Sequence, residues 1–295
     1  CAGQHYLSAP YHMNATIPFL ARLAAEADGM DIAATVLLLP LLNPVDVAET
    51  AATMDAISGG HFILGIGIGY RDEEYIAFGI KRNERIARTA EALEIIHRVW
   101  TEVEVEHQGQ FYNVPRVFPT TKPIQKPHPP IWMAANGKAA ITRAARWGYP
   151  WVINPHATVN MVKQQLETYT KEAEKADQPK PTVIPMMREL YISEDSHTAY
   201  SESRPYLESK YAAYSSWGQD KALPEGTTFS VPFDELARDR FLIGSPEEII
   251  EQIIRCRDNL GINYLLLRIQ WPGMPHQKAM KQLELLGKEV LPRLQ

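Results

Sequence analysis

Short apolar runs alternate along the chain with longer segments whose apolar residues recur at helical spacing. The first clear pair is the run at 32–39, followed by a helix that begins at Pro44 and extends to Ile57. Continuous apolar runs of this length are typical of strands buried on both faces of a parallel sheet. The repeated alternation therefore predicts βαβ units and an α/β fold.

Six strands are predicted, each followed by a helix, and a strand tail precedes them at 4–6. The predicted strands cover 32–39, 62–68, 131–135, 151–153, 183–192 and 264–270. The predicted helices cover 44–57, 84–100, 138–146, 158–175, 196–211, 245–260 and 277–290. A hairpin is expected near 103–114, and 215–240 is interpreted as irregular. The pattern lacks two of the strands of a barrel of eight.

Composition narrows the class of protein. The chain has 295 residues, of which 45% are hydrophobic and 22% charged, as expected for one large globular core. We expect a single domain over 1–295, because α/β barrels of about 250 residues fold as one unit. A net charge of −5 gives no basic field for nucleic acid or an anionic membrane surface. Two cysteines and no apolar run near the ~20 residues of a membrane span favour a cytoplasmic protein.

The predicted strand ends supply candidate substrate-binding residues. In parallel α/β folds, ligands bind at the carboxyl ends of the strands. Arg188 lies in the strand at 183–192, and Arg268, Gln270 and Trp271 lie at the end of the last strand. A rim that contains arginines fits several acidic or polar small-molecule substrates.

The segment Gly65-Ile66-Gly67-Ile68-Gly69 has three interpretations. Its glycines could let a flat or anionic ligand approach the backbone closely, or they could only admit tight packing between strands. A dinucleotide-binding loop is disfavoured, because the spacing is not G-x-G-x-x-G.

Two groups of residues could hold a phosphate. Ala135, Asn136 and Gly137 lie between a predicted strand and a helix, where backbone amides and the helix N-terminus favour an anion. Arg85 and Arg88, at the start of a long helix, could supply the counter-charge, or they could belong to a solvated helix face.

His5 is the candidate catalytic residue. It lies in the predicted strand tail, where a general base would be useful, although a structural role is the alternative. The other histidines are scattered without metal-ligand spacing, so no metal site is predicted. Serine hydrolysis has no support, because the chain contains no G-x-S-x-G motif.

The chain resembles the luciferase-like monooxygenase family over nearly its whole length. The resemblance lies in the segments 35–45, 48–49, 54–60, 62–70, 74–79, 84–91, 109–112, 126–131, 188–192 and 244–248. It implies a luciferase-like (β/α)8 TIM barrel with a flavin in the barrel mouth. It also implies that a strand, a helix and most of a second strand are missing before Cys1.

The resemblance assigns roles to the candidate cofactor-binding residues. It implies a non-prolyl cis peptide at Thr35-Val36, which shapes a seat for the flavin ring together with Gly67. It implies that the phosphate is held by the turn after the fifth barrel strand and by arginines, here Ala135, Asn136, Gly137 and Arg85 or Arg88. Ile68 departs from this pattern, since the bacterial luciferase large subunit has a phosphate-binding arginine there.

The resemblance also raises the case for His5. Gln4-His5-Tyr6 matches a Glu-His-His of the family, whose first histidine serves in flavin and oxygen chemistry. Gln4 stands where the family has Glu, which puts part of that chemistry in doubt.

These observations predict an FMN-dependent monooxygenase, which uses reduced FMN from a separate reductase and O2 to oxidise a small organic substrate. Family members usually dimerise, so a homodimer is expected, and the segment 215–240 is a possible lid. A deazaflavin-dependent enzyme that transfers hydride without oxygen is the first alternative. A non-catalytic flavin-binding or partner subunit is the second.

Overall fold

The computed structural model describes residues 1–224 and 227–294. The chain divides into two compact units, unit 1 (Cys1–Ala134) and unit 2 (Ala135–Gln295). None of the helices within the described ranges is long and apolar enough to cross a membrane. The single domain expected over 1–295 and the lid at 215–240 stay predictions.

Unit 1 is built around three parallel strands. Its strands are β1 (Ile32–Leu38), β2 (Phe62–Gly67), β3 (Val105–Gln108), β4 (Asn113–Val117) and β5 (Ile131–Ala134). Its helices are α1 (Thr16–Ala24), α2 (Pro44–Ile57), α3 (Asp72–Ala77) and α4 (Arg85–Thr101). Strand β2 pairs in parallel with β1 on one side and β5 on the other. Strands β3 and β4 form an antiparallel hairpin where the sequence predicts one.

The N-terminal tail pairs with the sheet at a different residue from the one predicted. The parallel bridge joins Ala2 to Ala34 of β1, and residues 4–6 lie outside any strand. After Ala2 the tail leaves the sheet edge. The side chain of Gln4 contacts the end of β1, where its Oε1 accepts a hydrogen bond from Leu38 N at 3.0 Å. His5 therefore follows the paired residue and lies at the end of β1.

Helix α2 illustrates how the sequence fixes an element. The Asn43 side chain accepts a hydrogen bond from Val45 N, and Pro44 occupies the first turn, where its missing N–H costs nothing. The helix buries an alanine-rich face against α4, and Trp100 Nε1 of α4 donates to Ala48 O at 2.8 Å. The predicted bounds of α2 are confirmed.

Unit 2 contains the remaining elements. Its strands are β6 (Trp151–Val152), β7 (Pro185–Ile192), β8 (Leu242–Gly244) and β9 (Tyr264–Arg268). Its helices are α5 (Lys138–Arg146), α6 (Val159–Lys175), α7 (Ser196–Ser216), α8 (Phe233–Ala237), α9 (Pro246–Leu260) and α10 (His276–Leu285). Strand β7 pairs in parallel with β8 and β9, and Ile153 next to β6 bridges in parallel to Met186.

The described parts of 215–240, residues 215–224 and 227–240, are more regular than the sequence predicts. Helix α7 continues to Ser216, and α8 lies within the second part. Phe229 and Phe233 are buried in a core cluster that also contains Tyr211 of α7. Isolated aromatic residues between prolines carry no periodicity, so their packing into the core was not predicted.

All six predicted parallel strands are present, and the mixed α/β architecture is that of luciferase-like (β/α)8 barrel enzymes. Strand β8 and helices α1, α3 and α8 were not predicted. Each is short: three, nine, six and five residues respectively.

Candidate functional site

The peptide bond between Thr35 and Val36 is cis, as the family resemblance implies, so that prediction is confirmed. The pairing register of β1 against β2 shifts between Ala34 and Leu37, around this bond. The Thr35 Oγ1 atom is buried and has no hydrogen-bond partner. Since buried hydroxyls are nearly always satisfied, this atom fits a position that a bound ligand completes.

The glycines of β2 serve the packing of β1. A Cβ atom on Gly65 would lie 2.2 Å from Ala34 O, and one on Gly67 would lie 2.8 Å from Val36 Cγ2. Glycine is therefore required at both positions for β1 to pack closely at the cis bond. Both lie inside a strand, which removes the dinucleotide-loop interpretation. A contact between Gly67 and a cofactor stays a prediction.

His5 is held by a buried carboxylate that the sequence did not single out. Its Nδ1 lies 3.0 Å from Glu74 Oε1, and the same oxygen accepts a hydrogen bond from Tyr6 N at 2.9 Å. The Glu74 side chain is fully buried, whereas that of His5 is 16% exposed. The imidazole therefore reaches the surface of unit 1, and the buried Glu74 holds its Nδ1 atom.

The surroundings of Glu74 set the tautomer of His5. Arg71 Nη1 lies 3.7 Å from Glu74 Oε1, so a guanidinium and a backbone N–H face the same carboxylate oxygen. An ionised carboxylate accepts hydrogen bonds only, which makes His5 Nδ1 the donor. In the neutral ring, Nε2 is then the basic nitrogen.

Arg71 ties this arrangement to the backbone. Its Nη1 donates to Tyr6 O at 2.8 Å, and its Nη2 donates to Leu7 O at 3.1 Å. The buried guanidinium and the buried Glu74 thus hold both sides of the tail segment that carries His5.

The two candidate phosphate arginines in unit 1 differ in availability. Arg88 Nε donates to Pro40 O at 3.2 Å, and its guanidinium lies over the rings of Phe111 and Tyr112 at 5.3 and 5.0 Å. Arg85 makes one hydrogen bond, from Nη1 to Arg82 O, and its Nε is buried without a partner. Arg85 therefore has more capacity for an anion than Arg88.

The turn at Ala135, Asn136 and Gly137 lies at the start of α5 in unit 2. Gly137 is the N-cap residue, and no side chain caps the helix. Three other helices of the unit, α6, α7 and α9, are capped by Thr158, Asp195 and Ser245. Uncapped N–H groups without an acidic residue in the first turn fit an anion.

Neighbouring side chains hold this turn rigidly. Asn136 Oδ1 accepts a hydrogen bond from Asn154 Nδ2, and Asn136 O accepts one from Gln165 Nε2 at 2.8 Å. Trp151 Nε1 donates to Ala135 O at 2.8 Å. The turn is therefore preorganised by β6 and α6 rather than by a ligand.

The four candidate substrate residues of unit 2 fall into two groups. Arg188 and Trp271 are buried, and Trp271 Nε1 donates to Glu189 Oε2 at 2.7 Å. The Arg268 side chain is 32% exposed, and Gln270 is exposed. Arg268 and Gln270 are therefore exposed enough to contact a substrate directly. Arg188 and Trp271 lie beneath the surface.

Sequence reasoning missed three ionisable residues, Glu74, Glu189 and Lys210. Glu189 is fully buried, and Lys210 Nζ and Arg268 Nη1 both face its Oε1, the second at 3.4 Å. A glutamate inside the apolar strand 183–192 was the available signal, because a charge in a buried strand needs a partner. Nothing in the sequence identified that partner.

The residues present fit a flavin nucleotide. Thr35 supplies an unsatisfied hydroxyl beside its cis bond to Val36. Arg85 supplies an anion-binding group in unit 1, and the uncapped start of α5 supplies one in unit 2. Within the described ranges, no group of three or more His, Cys, Asp or Glu side chains could hold a metal ion.

Comparison with known proteins identifies the family. The model of the luciferase-like monooxygenases matches residues 2–264. The oxygenase component of the flavin-dependent trigonelline monooxygenase of Acinetobacter baylyi is 25% identical, over 98% of this chain and 83% of that protein. The F420-dependent glucose-6-phosphate dehydrogenase of Gordonia bronchialis is 26% identical, over 85% of this chain and 74% of that protein.

A solved structure agrees with the fold. The monooxygenase RslO1 of Streptomyces bottropensis superposes with a TM-score of 0.85 and 24% identity, covering 99% of this chain and 87% of that one. The chain therefore belongs to the luciferase-like monooxygenase family of flavin-dependent oxidoreductases.

Proposed function

We propose that this protein is an FMN-dependent monooxygenase, which uses reduced FMN and O2 to oxidise a small organic substrate. The observation that carries the proposal is the His5–Glu74 pair, which presents an oriented imidazole at the surface of unit 1. Similarity to a flavin-dependent oxygenase component along almost the whole chain supports it. When bound, reduced FMN supplies the electrons for the reaction with O2.

His5 acts in this proposal through its Nε2 atom. With Nδ1 donating to Glu74, Nε2 can accept a proton from a reacting group and return it later. Glu74 is a positioning residue, because it fixes the ring and favours the protonated form that appears after the transfer. Arg71 and Tyr6 hold that carboxylate in place.

Other residues bind and orient the cofactor. We propose that Thr35, Val36 and Gly67 form the seat of the flavin ring. The candidate phosphate-binding groups are Arg85, with Arg88 in a supporting role, in unit 1, and the turn at Ala135, Asn136 and Gly137 in unit 2. These groups are positioned before binding, so little reorganisation accompanies it.

The rival proposal is a deazaflavin enzyme that transfers hydride without oxygen. It is favoured by the F420-dependent dehydrogenase among the relatives, which matches with similar identity. The two coenzymes differ in chemistry, because a deazaflavin does not activate O2.

Coenzyme titration separates the two proposals. The protein is titrated with FMN, reduced FMN under anaerobic conditions and F420, and quenching of tryptophan fluorescence is followed. We expect saturable binding of the FMN forms, and tight F420 binding with no FMN binding would overturn the monooxygenase proposal. Arg85→Gln should weaken FMN more than riboflavin, since only FMN carries the phosphate, and Arg98→Gln is the matched control on the same helix.

A non-catalytic role has a distinct outcome. If FMN binds and no substrate in a broad screen gives oxygen-dependent product, the chain is a flavin-binding or partner subunit. A separate reductase, the homodimer and a cytoplasmic location stay predictions.

A further inference from the structure

Cationic side chains outnumber their carboxylate partners at the carboxyl ends of β6, β7 and β9. Four of them form what we call the cationic cluster: the buried Arg188, Lys210 and Arg240 and the partly exposed Arg268. Three carboxylates face the cluster: Glu189, Glu235 and Asp239. Asp239 is already paired with the exposed Arg255 at 2.5 Å. The cluster thus carries excess positive charge in an environment that screens it weakly.

His156 lies at the centre of the cluster. Its imidazole is buried, and burial together with the charges of all four cations holds its pKa well below the usual range. The ring is therefore uncharged at neutral pH. Its Nδ1 atom is buried and has no hydrogen-bond partner. A neutral ring in this position could donate one hydrogen bond to an incoming oxygen.

Two members of the cluster donate to the backbone, although Nε and Nη2 of Arg188 remain buried without a hydrogen-bond partner. Arg240 Nε donates to His156 O at 2.8 Å, and Arg188 Nη1 donates to Asn154 O at 3.2 Å. These two arginines hold the segment that follows β6. They contribute charge to the cluster but lie beneath its surface.

Lys210 and Arg268 share one carboxylate oxygen, Glu189 Oε1, while Trp271 Nε1 donates to the other oxygen. One carboxylate cannot neutralise two cations, so burial and the charge of Arg268 lower the pKa of Lys210 to about 7. Glu189 raises the pKa of Arg268 despite its partial burial, so Arg268 keeps its charge at neutral pH. Arg268 is the partly exposed member, and its Nη2 faces the weak acceptor Met187 Sδ at 3.2 Å.

Aromatic rings surround the centre of the cluster. The His156 ring lies 5.4 Å from Tyr214, 5.7 Å from Phe229 and 5.8 Å from Tyr211, measured between ring centroids. Tyr211 and Phe229 are buried in the core, whereas Tyr214 is half-buried beside the partly exposed Arg268. An aromatic ring next to a cation fits a molecule that carries an anionic group on an apolar or flat body.

We propose that Arg268, with Lys210 behind it, binds a carboxylate or phosphate group of the substrate at the carboxyl ends of β7 and β9. The identification of the ligand as substrate rests on the proposed function, whereas anion binding by unit 2 does not. Arg268 makes the direct contact, and Lys210 and His156 complete the electrostatic environment. The substrate class is thereby narrowed from any small molecule to an organic acid or phosphate ester.

Phosphate binding can be measured directly on the full chain. The protein, labelled with nitrogen-15, is titrated with inorganic phosphate and separately with benzoate at constant ionic strength. The indole N–H resonance of Trp271, assigned with Trp271→Phe, reports the site because this N–H donates to Glu189. We expect a saturable shift with either anion.

Variants test the role of Arg268. Arg268→Gln should weaken anion affinity at least tenfold, and Arg268→Lys, which keeps the charge, should weaken it less. Arg257→Gln is the control, because Arg257 is an exposed arginine of the same unit paired with Asp258. The absence of a saturable shift, or equal affinity in Arg268→Gln with an unchanged melting temperature, would overturn the proposal.

The source of the anion is tested by competition. If phosphate still shifts the Trp271 resonance in protein saturated with FMN, the subsite serves the substrate, as proposed. If FMN abolishes the phosphate response and riboflavin does not, the subsite holds the coenzyme phosphate, which overturns its assignment to the substrate. A failure of the proposed function is distinct, since it appears as absent FMN binding with anion binding intact.

Discussion

The two units place their buried carboxylates in different surroundings. In unit 1, His5, Tyr6 and Arg71 all face one oxygen of Glu74, Oε1, while Oε2 is buried without a hydrogen-bond partner. In unit 2 the buried carboxylate of Glu189 is outnumbered by the cationic cluster.

This difference separates positioning from binding. A buried carboxylate that faces an imidazole fixes its orientation, and in unit 1 the oriented group is His5. A surplus of buried cations attracts an anion from outside. The comparison is consistent with our two proposals, proton chemistry in unit 1 and recognition of an anion in unit 2.

Removing the carboxylate of unit 2 should have the largest effect on stability. Glu189→Gln leaves Lys210 and Arg268 without their shared counter-charge, and we expect a loss of about 3 kcal/mol in the free energy of unfolding. Urea denaturation measures the change. Glu208→Gln is the control, because that exposed ion pair with Arg204 should matter by less than about 0.5 kcal/mol. A loss below about 1 kcal/mol for Glu189→Gln would contradict the assigned role.

In unit 1, loss of the buried carboxylate should impair turnover more than cofactor binding. Glu74→Leu removes the acceptor for His5 Nδ1, and we expect kcat to fall about 100-fold. Glu74→Gln keeps an acceptor oxygen and should retain more activity, with a loss of about tenfold. FMN affinity is measured in parallel, and an equal loss of FMN affinity and kcat would instead indicate general damage to the fold.

Disturbing the packing beside the cis bond should have an intermediate effect on stability. Gly67→Ala forces a contact with Val36, so we expect a loss of about 1–3 kcal/mol in the free energy of unfolding. Adding Val36→Ala should restore part of it, because the clashing methyl group is then absent. Gly287→Ala, where an added Cβ meets nothing within 4 Å, is the control. Additive losses in the double variant would contradict this account of Gly67.

A smaller effect should appear in acid. Burial and the neighbouring His128 lower the pKa of His97 from 6.5 to about 4. In acid, the unfolded chain therefore binds a proton at His97 more readily than the folded protein does. The contribution of the neutral His97 ring to the stability of the fold is complete above pH 6.5 and is lost as the pH falls towards 4. The ring is partly exposed, so we expect less than about 1 kcal/mol over this window. His97→Gln should flatten the slope of stability between pH 6.5 and 4.5; an unchanged slope would exclude His97 as the cause.

The sequence predicts those elements whose signals are local. The helix predicted over 245–260 is present as α9, and the structure forms both hydrogen bonds of a capping box between Ser245 and Glu248. The bounds of α5 were likewise correct. Helix α3 was missed because it has six residues and begins with three acidic ones, which is typical of a polar loop.

The site residues were predictable to the extent that the family resemblance covers them. The resemblance gave the cis bond at Thr35-Val36 and directed attention to His5. Glu74 was not predicted, because its burial depends on a contact 69 positions away in the chain. The pairing of Glu189 with Lys210 and Arg268 likewise depends on tertiary packing, which periodicity does not report.

The most direct test of the account is oxygen consumption dependent on reduced FMN, measured for the wild type, His5→Ala and His12→Ala. His12 is an exposed neighbour that contacts Asn14, so its variant controls for changes in the tail. We predict that substrate-coupled turnover falls at least about 100-fold in His5→Ala and is unchanged in His12→Ala, with FMN affinity equal in all three proteins. Undiminished turnover in His5→Ala would contradict the assignment of proton chemistry to unit 1.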